Sequence, residues 1–132
     1  MLETLKNNNR LIINGWMNSR QPVPNTVWDL GLTYVPPTEA EANTPYQRFY
    51  NVLDMLERKQ FSCGDAAAYE AAVQEEKYGK ASEVSIVPQG PFQYHAIYIS
   101  ESGPVDPTEN WLRKYARRQG REHQSHMGMN RW

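Results

Sequence analysis

Three side chains in this sequence suit acyl-transfer chemistry: one thiol, one imidazole and one carboxylate. Cys63 is the only cysteine, and it stands at the start of an alanine-rich run that predicts a helix. His95 lies within an alternating run that predicts a strand, and Asp106 stands at the end of the next predicted strand. Acyl transfer by a thiol needs a nucleophile, a base that moves its proton and a group that orients the base. Cys63, His95 and Asp106 fit these roles in that order.

The residues around the thiol predict that Cys63 lies at a helix N-terminus. Ser62 is a suitable N-cap residue, and Asp65 falls in the first turn, where a carboxylate is favourable. Tyr78 and Gly79 predict the end of the same helix. Backbone N–H groups in the first turn have no partner within the helix, and they favour a thiolate over a thiol. We therefore expect a populated thiolate at Cys63 near neutral pH.

Acyl transfer also needs hydrogen-bond donors for the oxyanion that forms in the transition state. The backbone N–H of Cys63 is one expected donor, and a side chain would supply the second. Gln60, three residues before the cysteine, is the expected side-chain donor. Gln89, Gln93 and Trp28 remain open as alternatives.

A second helix is predicted immediately before the cysteine. Thr44 and Pro45 are typical of an N-cap and a first helical position. Apolar residues then recur at helical spacing: Phe49, Val52, Leu53 and Leu56. Lys59 and Gln60 would end this helix. We expect it to pack against the Cys63 helix, because the alanines of that helix permit close approach.

A β-hairpin is predicted after the Cys63 helix. Residues 83–87 alternate as a strand, residues 88–91 form a turn and residues 92–100 form the second strand. A short strand ending at Asp106 and a helix over residues 109–119 follow. The predicted fold class is α+β, with a helix pair packed on a small antiparallel sheet.

The N-terminal third of the chain is predicted to be an extended arm. Residues 1–20 show no clear element, and residues 21–45 contain five prolines, which disfavour long helices and central strands. Trp16, Trp28 and Tyr34 predict that the arm is buried against the core or a neighbour. The expected organisation is residues 1–45 as a Pro-rich arm, 46–119 as the core with its C-terminal helix, and 120–132 as a basic tail.

Three short motifs resemble the transglutaminase-like, papain-type superfamily of cysteine acyltransferases. They begin at Cys63 (Cys-Gly-Asp-Ala), at His95 (His-Ala-Ile-Tyr) and at Asp106 (Asp-Pro-Thr). The resemblance covers residues 46–111, roughly half of the chain. It implies a papain-like core and a cysteine peptidase or transglutaminase-like hydrolase that uses a Cys-His-Asp triad.

Members of this superfamily also retain the fold after losing activity. The fold that the resemblance implies therefore does not by itself imply catalysis. The alternative is therefore a non-catalytic structural component of a phage virion or a similar assembly.

Length and composition limit the other classes of function. The 132 residues suffice for one domain, and no run of about 18 apolar residues predicts a membrane span. The first ten residues lack the apolar segment of a secretory signal, so a cytoplasmic or virion location is expected. No cofactor is expected, because the glycines do not form a phosphate-binding loop. The His123 and His126 pair is interpreted as part of a solvated tail, with no metal expected.

The charge is distributed unevenly along the chain. Residues 21–112 carry five Lys and Arg against thirteen Asp and Glu, whereas residues 113–132 carry six against one. The basic C-terminal segment is interpreted first as a solvated helix face, and it could also reach an acidic protein surface. We expect a protein partner or peptide substrate, and membership of an oligomer or larger assembly. Nucleic acid is a weaker alternative for the basic segment.

Overall fold

The structure is a computed structural model that describes the backbone of residues 1–36, 48–90 and 93–126, and the side chains of residues 1–36, 48–88 and 95–120. Its elements are the helices α1 (Leu2–Asn18), α2 (Val52–Arg58), α3 (Cys63–Tyr78) and α4 (Pro107–His126) and the strands β1 (Thr33–Tyr34), β2 (Gln60–Phe61), β3 (Ser82–Gly90), β4 (Gln93–Ser100) and β5 (Gly103–Val105). The predicted α+β class is confirmed.

Helix α3 is the centre of the fold. All residues from Gly64 to Val73 are buried, and five of them are alanines. A helix buried on every side is lined mainly with small or apolar residues, which eight of these ten residues supply, while Asp65 and Glu70 are the two exceptions. Helix α1, strand β4 and helix α4 all pack against it. The predicted bounds of α3 are confirmed, with Gly79 as a left-handed C-cap at φ 65°.

Residues 2–18 form helix α1, so the prediction of an extended arm with no clear element is wrong for this segment. The helix was hidden in the sequence because its buried face includes Lys6 and Asn9 alongside Leu2 and Ile13. Lys6 donates to the Ser82 carbonyl at 2.8 Å and pairs with carboxylates. Polar groups with hydrogen-bond partners can occupy a buried stripe, although they blur its apolar period. Lys6 has such partners, whereas Asn9 is paired at Oδ1 and its Nδ2 has no partner among the described residues.

Asn9 joins α1 to α2, which is shorter than predicted. The Asn9 side-chain oxygen accepts the backbone N–H of Val52, the first residue of α2, at 2.8 Å. Residues 48–51 are not helical, so the prediction that the helix runs through them is wrong, and the predicted start at Thr44 and Pro45 lies outside the described residues. Asn51 provides the N-cap instead, and its side chain accepts from Asp54 N.

The predicted hairpin is confirmed within an antiparallel three-stranded sheet in the order β3-β4-β5. The turn predicted at residues 88–91 is wrong for residues 88–90, which continue β3 and pair with β4. Ile86 pairs with Ala96, and Tyr98 pairs with both Val84 and Val105. Val84, Ala96 and Tyr98 are buried in one cluster with alanines of α3. Because side chains alternate along a strand, the residues on either side of these point to the other face of the sheet.

The Pro-rich segment before residue 37 packs on the main core. Val23, Val27 and Leu32 are buried in the principal cluster, and Trp16 and Trp28 pack against it. The sequence predicts short extended pieces at residues 27–30 and 32–35. Residues 27–30 form turns, so the first prediction is wrong. The second is confirmed in part, because residues 33–34 form β1, which pairs in parallel with β2.

Helix α4 begins two residues earlier than predicted and continues to His126. Gly120 lies within it, and the Arg, Gln, Glu and His residues around it do not interrupt a helix. Part of the predicted aperiodic tail is therefore helical, while residues 127–132 lie outside the described part of the chain. No helix in the described ranges is long and apolar enough to cross a membrane.

Candidate active site

Cys63 is the first residue of α3, as the sequence predicted. Ser62 is the N-cap residue, and its backbone N–H donates to Asp65 Oδ2 at 3.0 Å. The other Asp65 oxygen accepts the backbone N–H of Tyr50 at 2.7 Å. Asp65 is buried, so this double acceptance ties the start of α3 to the segment before α2. The position of the thiol is thereby fixed from both sides.

The sulfur of Cys63 is partly buried between α3 and β4. Burial raises the pKa of the Cys63 thiol above its ordinary value, and the Asp65 and Asp106 charges act in the same direction. Backbone N–H groups of Ala96 and Gly64 donate to the sulfur and oppose the shift. The expected thiolate-favouring groups are present, but desolvation is the larger effect. The resting site therefore holds a thiol.

His95 and Asp106 form a hydrogen-bonded pair. The His95 Nε2 atom lies 2.8 Å from Asp106 Oδ1, and the side chains are 11% and 23% exposed. The same Asp106 oxygen accepts the backbone N–H of Glu109 at 3.1 Å, so Asp106 also caps α4. The hydrogen bond from the first turn of α4 fixes the position of the carboxylate, and the carboxylate in turn orients the imidazole ring. The structure thus brings two of the three predicted triad residues together.

The thiol and the imidazole approach β4 from different directions. Ala96 and Tyr98 face α3, so strand alternation places His95 on the opposite face of the sheet. The Cys63 sulfur meets the strand at the Ala96 backbone, one residue from His95. Within the described residues, no hydrogen bond joins the sulfur to the ring. Asp106 occupies Nε2, so Nδ1 is the remaining ring nitrogen, and proton transfer from the thiol would require the ring to reach around the edge of β4 at Ala96.

The predicted oxyanion donors lie in different places. Gln60 is half-buried in β2, three residues before Cys63, and pairs with Thr33. Trp28 packs edge-to-face on Trp111, with 5.9 Å between the ring centroids. The side chains of Gln89 and Gln93 lie outside the described residues. Of the predicted oxyanion donors, Gln60 is the one that lies in the strand leading directly into the Cys63 helix.

Tyr34 is a site residue that the sequence did not reveal as one. It pairs with Phe61 across the β1–β2 ladder, and the two rings lie 5.6 Å apart. Burial raises the pKa of the Tyr34 phenol, and the Cys63 and Asp106 charges raise it further. The phenol is thus within electrostatic reach of two triad residues. Only the two-residue parallel ladder brings it there, and such a ladder has no sequence signature.

Glu70 is a second residue of chemical interest that the sequence did not reveal. It is 4% exposed within α3, and its Oε2 accepts the backbone N–H of Val27 at 3.1 Å. Burial is the main reason that the pKa of Glu70 is raised to about 8. A glutamate in a helix is normally interpreted as solvent-exposed, so only the packing of the 23–32 segment over α3 identifies it.

The described side chains offer no metal site. No group of three or more His, Cys, Asp or Glu side chains is clustered among them. The side chains of His123 and His126 lie outside this part of the chain.

The chain was compared with known proteins in three ways. No family model matches it, no curated protein sequence matches it, and no solved structure matches it. The roles considered for Cys63, His95 and Asp106 therefore rest on their own geometry and chemistry.

Proposed function

We propose that this protein catalyses thiol-dependent acyl transfer at a peptide or amide bond, as a cysteine peptidase or a transglutaminase-like enzyme. The hydrogen-bonded pair of His95 and Asp106, one residue along β4 from the backbone contact of Cys63, is the observation that carries the proposal. An imidazole held at Nε2 by a carboxylate presents Nδ1 as a base. A thiol at a helix start beside that strand is the matching nucleophile.

The raised pKa of the thiol defines the order of events in the proposed reaction. His95 Nδ1 accepts the thiol proton as the Cys63 sulfur attacks the carbonyl carbon, so no stable thiolate precedes attack. The backbone N–H of Cys63 and the Gln60 amide donate to the oxyanion. The C–N bond then breaks, and the leaving amine takes the proton from His95. Water or a second amine displaces sulfur from the thioester, with His95 again acting as base.

Acylation by p-nitrophenyl acetate tests this proposal without knowledge of the natural substrate. The thiol forms an acetyl thioester on Cys63 and releases p-nitrophenol, which is measured by absorbance, while mass spectrometry of proteolytic peptides locates the acetyl group. We expect Cys63→Ala to abolish acetylation. We expect His95→Gln and Asp106→Asn each to lower its rate by about 10²–10⁴-fold, since general-base catalysis contributes an effect of that size.

A matched comparison separates catalysis from ordinary thiol reactivity. The Tyr78→Phe change lies at the far end of α3, where the Tyr78 hydroxyl contacts Asn25, and it should leave the rate unchanged. Circular dichroism and urea unfolding of each variant report whether the fold is retained. Equal rates in the wild type and in folded His95→Gln would refute the assigned base.

A non-catalytic structural component of a phage virion, or of a similar assembly, is the second candidate. It is favoured by the burial that raises the Cys63 pKa, since inert structural cysteines are buried in this way. Cys63 also packs against the smaller hydrophobic cluster. For this candidate we expect no acetylation above that of a free thiol, together with an oligomer of the full chain in mass photometry.

A further inference from the structure

A cavity of about 210 Å³ lies beside α4 and apart from the candidate triad. One wall is the loop at residues 26–28, the floor includes Glu70 of α3, and the other wall is the first three turns of α4. Cys63, His95 and Asp106 do not line it. We call it the Glu70 cavity. Its two walls and its floor come from separate parts of the chain, so the fold itself builds it.

The floor of the Glu70 cavity carries a carboxyl group that is held in place. Glu70 is 4% exposed, and the Val27 backbone N–H donates to its Oε2. Its pKa of about 8 means that the carboxyl is mainly protonated at neutral pH. With one oxygen accepting from Val27, the neutral group can donate an O–H hydrogen bond. The floor therefore adds no negative charge that would repel an anion.

The walls combine aromatic rings with positive charge. Trp28 and Trp111 meet edge-to-face at 5.9 Å, and both line the cavity. Lys114 and Arg117 also line it, and the Lys114 Nζ lies 6.0 Å from the centre of the Trp28 ring. Among the described residues, neither Lys114 nor Arg117 is in an ion pair. A third lining cation, Arg113, is paired with Glu109.

We propose that the Glu70 cavity binds a small aromatic carboxylate, with its ring against Trp28 and Trp111 and its carboxylate at Lys114 and Arg117. The size fits, because a protein cavity of about 150 Å³ holds benzene and this one is larger. An amine ligand would meet two unpaired cations. An inorganic anion would leave the indole walls unused. The shared chemistry could come from a free aromatic acid or from the C-terminal aromatic residue of a peptide.

Isothermal titration calorimetry with four probes tests this site in the full chain. Phenylacetate and phenylacetamide have nearly the same shape and differ in the charge and hydrogen-bond donors of the acid group. N-acetylglycyl-phenylalanine and its amide repeat that comparison for a peptide terminus. We expect at least one acid to bind and its amide to bind roughly tenfold more weakly or not at all. Binding of phenylacetate indicates that a free acid suffices, and binding of the peptide acid alone indicates a C-terminal residue.

Two rim variants locate the binding. Lys114→Gln and Arg117→Gln are each expected to weaken the acid roughly tenfold. Lys80→Gln, at an exposed cation two residues beyond the C-terminal end of α3, should leave the affinity unchanged. The proposal is overturned if neither acid binds, if acid and amide bind equally, or if Lys80→Gln weakens binding as much as the rim variants do. The triad variant Cys63→Ala should bind the acid like the wild type, so failure of the acyl-transfer proposal leaves this one intact.

Discussion

The Nε2 atom of His95 lies 2.8 Å from Oδ1 of Asp106, although the two residues are eleven positions apart in the chain. The antiparallel pairing of β4 with β5 turns that separation into a contact. The Asp106 oxygen is held independently by the Glu109 backbone N–H. The imidazole is therefore oriented by a carboxylate that is itself fixed by the start of a helix.

This contact predicts the tautomer of the neutral His95 ring. A carboxylate acceptor at Nε2 favours the proton on that nitrogen and leaves Nδ1 unprotonated. Long-range ¹H–¹⁵N correlation spectra of the labelled protein distinguish the two nitrogens directly. We expect the Nε2–H tautomer to predominate in the wild type. A predominant Nδ1–H tautomer would mean that the ring cannot act as the base for Cys63.

The buried thiol predicts how Cys63 reacts with an alkylating agent. Its raised pKa implies a labelling midpoint above the value of about 8.5 for a free cysteine. Iodoacetamide labelling rates measured against pH report this midpoint. Ala96 and Gly64 N–H groups stabilise the charged form, but desolvation outweighs them. A midpoint well below 8 would show instead that a preformed thiolate exists and that proton removal precedes attack.

The sequence predicted the parts of the fold whose residue patterns are local. The alternation of β3 and β4 and the N-cap and glycine stop of α3 each follow from short stretches. The His95–Asp106 contact could be anticipated because a tight turn joins the two strands that carry them. Here local pattern and tertiary structure agree, which is the usual condition for successful prediction.

The features that could not be predicted depend on contacts between distant segments. Helix α1 was missed because buried Lys6 and Asn9 interrupt its apolar stripe, and their partners lie far along the chain. Tyr34 reaches the site only through pairing with Phe61, and Glu70 becomes buried only when Val27 covers it. A single sequence carries no record of such pairings.

Substitutions at Gln60 and Tyr34 distinguish which of the two side chains donates a hydrogen bond to the oxyanion. We expect Gln60→Ala to slow acetylation of Cys63 by roughly 10²-fold, the effect of losing one oxyanion donor. Tyr34→Phe removes only the phenol hydroxyl and keeps the ring packing against Phe61. It should change the rate much less. If Tyr34→Phe slows the reaction and Gln60→Ala does not, the assignment of Gln60 is wrong and the phenol is the donor.

We predict that close packing beside the thiol requires glycine at position 64. A Cβ added at this position would overlap the Phe49 ring, and it would also lie 3.3 Å from a Leu2 methyl group. We expect Gly64→Ala to lower the free energy of unfolding by about 1–3 kcal/mol, the usual cost of overpacking. Urea unfolding measures the change.

Gly15 provides the matched control for Gly64, because both glycines lie in helices. A Cβ at Gly15 would meet nothing within 4 Å. Gly15→Ala should therefore raise the free energy of unfolding by about 0.5–1 kcal/mol through helix propensity. If both substitutions stabilise the protein, the Phe49 ring moves aside at little cost and the close packing is not a constraint.

The last prediction concerns Glu70 and the dependence of stability on pH. Burial is the main cause that raises its pKa from 4.5 to about 8 in the folded chain, and the charges of Asp29 and Asp106 add to the shift. The Val27 N–H and the Lys114 charge oppose it. At a pH between these two pKa values, Glu70 is mostly protonated in the folded state and mostly ionised in the unfolded state. The resulting stabilisation is complete below pH 4.5 and is lost as the pH rises through about 8.

Glu70→Gln tests this linkage, because glutamine keeps the acceptor for Val27 N–H and cannot ionise. Raising the pH from 5 to 8.5 should lower the free energy of unfolding of the wild type but not that of the variant. The variant should therefore gain stability relative to the wild type by a few kcal/mol, about 4 at most. Urea unfolding at the two pH values measures it. Glu83→Gln, at an exposed position of β3, should show little such shift. If the Glu70→Gln difference is also independent of pH, the folded and unfolded states bind the Glu70 proton equally, and the floor of the cavity carries a negative charge at neutral pH.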